Sequence, residues 1–66
     1  MKVRYSQEVD DMYIMLDSGE YRTSEKVGDG VVLDFTKEGD LVGIQIADAS
    51  EKISKENFNK IMLNNN

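Results

Sequence analysis

Gly30–Ser50, GVVLDFTKEGDLVGIQIADAS, decides the fold. Two runs of β-formers, Val31 to Phe35 and Leu41 to Ile46, flank Lys37-Glu38-Gly39. A Gly at the third position of a short loop supplies the left-handed backbone that such a hairpin needs. With a three-residue loop, Thr36 faces Asp40 and Phe35 faces Leu41. Val31, Leu33, Phe35 and Leu41 then share one face with Gly43 and Gln45, while Val32, Val42, Ile44 and Ile46 share the other with Asp34. A four-residue loop would instead align Val31, Leu33 and Phe35 with Val42, Ile44 and Ile46, leaving a sheet with one wet face. Turn chemistry favours the shorter loop, and with it a sheet that is apolar on both sides.

Upstream, Lys2 to Tyr5 alternates charged and apolar residues, as a short strand with one buried side does. Ser6 to Asp10 breaks the pattern. Asp11 to Asp17 reads as the second strand, with Met12, Ile14 and Leu16 on one face and Tyr13 and Met15 on the other, closing in a turn at Asp17-Ser18-Gly19-Glu20. Tyr21 to Val27 is more polar and suits a wet face or an edge, where its charges discourage edge-to-edge pairing. Gly28, as the first of two loop residues, suits a type II′ link to the hairpin. Short links between short strands argue for antiparallel neighbours, because parallel ones need crossovers of a dozen or more residues.

Downstream the periodicity changes. Asp48 with Glu51 resembles a capping box, Ala49 to Lys52 suits a helical turn, and Ser54 offers a second helix start. Phe58, Ile61 and Met62 fall on one stripe of a helix from about Ser54 to Leu63, and Asn64 to Asn66 should fray.

Sixty-six residues make one small domain, which buries only about 60% of its unfolded surface and gains roughly 3–5 kcal/mol from its core. With no Cys and no His, disulfides, the ordinary zinc sites and the usual nucleophilic triads are excluded. Self-association is the remaining reinforcement. The absence of Cys suits a reducing compartment, and Met1-Lys2 runs directly into strand pattern without a signal-peptide core, so a cytoplasmic location is expected. A net charge of −5, with acids spread along the chain, argues against nucleic-acid and membrane partners. Lys52, Lys55 and Lys60 read as a solvated helix face with Glu51 and Glu56 among them.

Asp10 with Asp11, Asp29 with Asp34, and Glu38 with Asp40 are the acidic pairs that acid–base or cation chemistry would need. Most sit where turns favour Asp, and no stretch has the ligand spacing of a calcium loop. Asp34 differs, because it stands mid-strand between Leu33 and Phe35, either as a binding carboxylate or as a solvent-facing or hydrogen-bonded strand residue at a sheet edge, the latter favoured. Gly43, opposite Leu33 in the three-residue-loop register, makes room for a large neighbour. The remaining glycines are separated by turns and form no phosphate-cradling loop.

Val3-Arg4-Tyr5, Asp10 to Leu16, and above all Gly30–Ser50 resemble the small bacterial and archaeal family designated domain of unknown function 2283. The resemblance covers roughly the first fifty residues and implies a fold rather than an activity, with no catalytic residues to carry over. It also implies short stand-alone cytoplasmic proteins, some of them suspected as antitoxin-like partners of small toxins. The chain departs from the family pattern at Ser6 and Thr36, where Asp is common, and at Gln45, where Glu is common. Ser6 and Thr36 retain a turn-forming side-chain oxygen, so structure tolerates these changes better than acid chemistry does.

The sequence therefore predicts a single α+β domain over residues 1–66: a five-strand, mainly antiparallel meander over about 1–47, with a C-terminal helical segment over about 48–63 packed on one face. The expected function is that of a non-enzymatic interaction module that forms homo-oligomers and binds a small basic protein. The alternative is a domain that binds a small molecule or divalent cation through Asp34 and neighbouring acids. Asp34, Phe35, Leu41 and Leu33 are the candidate interaction residues; no catalytic, cofactor or metal residue is assigned.

Overall fold

The computed structural model describes residues 1–16, 20–21 and 23–63. Five strands, β1 (Lys2–Ser6), β2 (Asp11–Met15), β3 (Thr23–Gly28), β4 (Val31–Phe35) and β5 (Leu41–Ile46), are followed by helices α1 (Ala49–Lys52) and α2 (Lys55–Leu63). The α+β class, the antiparallel sheet and the C-terminal helices are as the sequence predicts. The expected turn at Asp17 to Glu20 and the tail from Asn64 lie largely outside the described residues.

Strand order differs from a simple meander. The sheet runs β1-β2-β5-β4-β3, so β3, β4 and β5 form a meander and the β1–β2 hairpin joins through β5. All four pairings are antiparallel. The order places the apolar β5 where both of its backbone edges are hydrogen-bonded, and leaves charged strands at the rims. β3 is exposed along its whole length, which suits an edge bearing Glu25 and Lys26.

The central hairpin combines both registers considered above. Thr36 N–H donates to the Asp40 carbonyl at 2.8 Å, and Phe35 pairs with Leu41, as a three-residue loop requires. Gly39 takes φ +93°, and the Asp40 N–H donates to Thr36 Oγ1 at 3.1 Å, so Thr36 does perform the turn work of an Asp. The register then shifts between Asp34 and Phe35, and Asp34 pairs with Gly43, Leu33 with Ile44, and Val31 with Ile46. This bulge moves Val31, Leu33, Ile44 and Ile46 onto one face and Val32, Asp34, Gly43 and Gln45 onto the other. The expected sharing of a face by Leu33 with Gly43, and by Asp34 with Ile44, is thereby corrected. The β3–β4 link is also corrected: Gly28 closes the strand opposite Val31, and Gly30 carries the positive φ of +73°.

The helices cover the apolar face at its β1–β2 end. Val3, Met12 and Ala49 are buried, and Tyr5, Ile14, Ile46, Ile53, Phe58, Ile61 and Met62 pack around them. The α2 stripe is half-buried rather than fully enclosed. Tyr5 and Phe58 meet edge to face with ring centroids 4.8 Å apart, an arrangement that aligns a positive ring edge with a negative face. Ser54 caps α2, its Oγ accepting the Asn57 N–H at 3.1 Å.

The capping box expected at Asp48 is not formed. Asp48 stands in the left-handed region at φ 53° without a side-chain cap. Asp10, also left-handed at φ 58°, caps α1 from the neighbouring β1–β2 turn: its carboxylate accepts the Ser50 N–H at 3.1 Å and the Ser50 hydroxyl at 2.7 Å, and its carbonyl accepts the Ala49 N–H at 2.9 Å.

Candidate functional site

On the face away from the helices, the cross-strand partners Arg4, Tyr13, Gln45 and Val32 form one row from β1 to β4. Ser6 and Asp11 extend it at the β1–β2 turn. These side chains line an open cleft of about 530 Å³, and among the described residues none from α1 or α2 contributes to it. The volume falls within the range of about 300–1,000 Å³ that small-molecule sites occupy.

Asp34 underlies one side of this row and is 1% exposed on a strand paired along both sides, so it is hydrogen-bonded as expected but neither solvent-facing nor at a sheet edge. A carboxylate buried within a sheet needs donors for its lone pairs, and three neighbouring strands supply them. Tyr13 Oη of β2 donates to Oδ2 at 3.0 Å, and Ser24 Oγ of β3 donates to Oδ1 at 2.6 Å. Gln45 Nε2 of β5 donates to both oxygens at 3.0 Å. Burial pushes the Asp34 carboxyl up, but the bonds from Ser24, Gln45 and Tyr13 together outweigh it and hold the group below its ordinary value. Burial and the bond to Asp34 raise the Tyr13 phenol, which therefore keeps its proton.

Gly43 makes this network possible. A Cβ at Gly43 would overlap Tyr13 Oη and lie 2.7 Å from Cζ, so the ring reaches Asp34 by crossing a strand that has no side chain there. The sequence expectation that Gly43 makes room for a large neighbour is correct in kind, but that neighbour is Tyr13 from the adjacent hairpin.

Of the four candidate interaction residues, Asp34 lies on the cleft face, while Leu33 and Phe35 lie on the helix-bearing face, with Leu41 paired to Phe35. The chain therefore splits the set. Tyr13, Ser24 and Gln45 carry no sequence signal for this site beyond being polar or aromatic strand residues, and only the strand order aligns them. A second acidic group, Asp10, Asp48 and Glu51, brings carboxylate oxygens within 4.8 Å of one another beside α1. Asp10 there is committed to Tyr5, whose hydroxyl donates to it at 2.6 Å, and to Ser50; these bonds hold its pKa low.

The family model described as protein of unknown function, DUF2283, matches residues 2–50. The chain belongs to this family. The DUF2283 match spans all five strands and ends at Ser50, so it takes in Tyr13, Asp34, Gly43 and Gln45 together with both partners in the Asp10–Ser50 cap. Helix α2 of this DUF2283 chain follows the matched stretch. No curated protein and no solved structure shows a significant match. Among the described residues, no helix is long and apolar enough to cross a membrane.

Proposed function

We propose that this domain is a non-enzymatic binding module of the cytoplasm whose helix-free sheet face holds a small polar molecule. The observation that carries the reading is the buried Asp34 network. A charged residue in a strand of so small a sheet destabilises the fold unless every lone pair is matched, and here two of the matching donors, Tyr13 and Gln45, are also cleft walls. Asp34 acts as a positioning residue: it locks the rotamers of groups that meet a ligand without needing to touch one itself. The bulge also weakens the sequence argument for an apolar second face, since this face is largely polar. Backbone amide NMR of the whole chain against a fragment library tests the proposal. Saturable shifts at Tyr13, Val32 and Gln45 are expected; a library that leaves all three unmoved overturns it.

Self-association is a second reading, and one observation favours it. Leu33, Phe35 and Ile44 on the helix-bearing face are half-buried and lie outside the cluster around Met12, and Leu41 beside them is 37% exposed. A second copy of the chain seated on this β4–β5 wing would shield it. Light scattering after size-exclusion chromatography should then give a dimer mass that reverts to monomer in Phe35→Ser; a monomer in the parent removes the reading. Recognition of a small basic protein in the manner of an antitoxin would draw on the net charge of −5.

A further inference from the structure

We infer that the molecule held in the cleft is a zwitterion of amino-acid size, with its carboxylate at Arg4 and its ammonium at Asp11 and Gln45. The inference rests on the small-molecule reading above and follows from the direction in which each hydrogen bond must run. A carboxylate only accepts, so the two contacts from Gln45 to Asp34 require its NH₂ group, and the Gln45 carbonyl oxygen is left for the cleft. Tyr13 likewise gives its proton to Asp34, so its hydroxyl has none left to donate to a ligand. The buried Asp34 therefore turns Gln45, an amide able to act either way, into an acceptor on the cleft side.

Asp11, exposed at the β1–β2 end of the same face, adds a charged acceptor. Arg4, exposed and directly across from Tyr13, presents a guanidinium fork that suits a carboxylate. A simple amine would find Asp11 and Gln45 but lie near Arg4, and a simple acid would find Arg4 but lie near Asp11. A molecule carrying both charges on a short carbon frame meets each with its opposite. Val32 and Ala47, also in the lining, offer apolar contact to a side chain.

The test is a titration of the uniformly ¹⁵N-labelled chain with each of the common free L-amino acids. The best binder is then repeated as its N-acetyl derivative and as its carboxamide. At least one free amino acid should shift Arg4, Tyr13, Val32 and Gln45 saturably, and blocking either end should weaken binding about tenfold, as loss of one charge-assisted bond implies. Arg4→Gln should abolish the preference for the free acid over the amide, and Asp11→Asn the preference for the free amine over the acetylated form. Both positions are exposed, so the fold is kept. Blocked forms that bind as well as the free one overturn the zwitterion, as do uncharged fragments that shift these residues when no amino acid does; the small-molecule reading then stands. If neither class shifts them, both inferences fall.

Discussion

Among the described residues two tyrosine–aspartate pairs stand one on each face of the sheet, and they do different work. Tyr5 donates to Asp10 at 2.6 Å and Tyr13 to Asp34 at 3.0 Å, and each bond helps to lower the carboxyl pKa and raise that of the phenol. On the helix side the pair is a fastener: Tyr5 rests against Phe58, and Asp10 holds the first turn of α1. On the cleft side no helix lines the site, and the pair helps to fix Tyr13 and Gln45 in the cleft wall. The same bond is a tertiary cap where a helix packs beside it, and a template where no helix does.

Removing the apolar half of the fastener should have the largest effect. Phe58→Ala deletes the ring that meets Tyr5 and opens a gap under α2, with an expected loss of about 3 kcal/mol. For a chain of this size that is most of the stability, so urea denaturation should find a midpoint near zero. A midpoint close to the parent's would mean that α2 does not hold the fold, and the contrast between the faces would collapse.

Asp34→Ala comes next. It leaves the buried ends of Tyr13, Ser24 and Gln45 without their acceptor, at a cost on the order of 2–3 kcal/mol. Because the folded-state pKa of Asp34 lies below its ordinary 3.8, its contribution is fully present above that value and fades as the pH falls through the folded pKa. Tyr13 titrates above its ordinary 10.0 when folded, so its contribution holds below pH 10.0 and fades as the pH rises through the folded pKa. Melting temperature against pH should therefore drop at both extremes. In Asp34→Ala both limbs should flatten; limbs that stay as steep would assign the pH response elsewhere.

Much of this architecture is legible in the residues. Strand and helix spans follow from alternation and from the Phe58, Ile61 and Met62 stripe, and Gly39 fixes the loop. Even the failure of the simple meander was there to be read: it would put the polar Tyr21 to Val27 in the centre of the sheet, although its composition suits an edge. The cleft was not legible, for a definite reason. Tyr13, Ser24, Asp34 and Gln45 come from four strands, and their meeting depends on β5 entering between β2 and β4 and on a bulge that moves Asp34 to the other face. Neither has a local sequence signature. The Asp10 cap was hidden in the same way, because it pairs residues forty positions apart.

Gly43→Ala probes the cleft pair alone. Its Cβ would overlap the end of the Tyr13 ring, which can swing outward, so stability should fall by only about 1–2 kcal/mol while the hydroxyl leaves Asp34. Carbon-detected titration of the aspartate carboxyls should show Asp34 rising and Asp10 unchanged. An unchanged Asp34 would mean that Tyr13 contributes nothing to its ionisation.

Ser50→Ala is the mirror experiment and the smallest in effect. It removes the hydroxyl that donates to Asp10 at 2.7 Å but leaves the Ser50 N–H and the Tyr5 hydroxyl in place. Two of three donor groups survive, so the melting temperature should fall by no more than about 4–8 °C, the shift that one lost capping interaction gives in a domain this small. The Asp10 pKa should move back toward its ordinary 3.8, because the Ser50 hydroxyl is second only to Tyr5 among the groups that lower it. Stability held by Asp10 above that value would then be smaller, and the acid limb gentler, with Asp34 untouched. If Ser50→Ala instead shifted Asp34, or Gly43→Ala shifted Asp10, the two faces would be coupled through the sheet and would titrate as one network rather than as a fastener and a template.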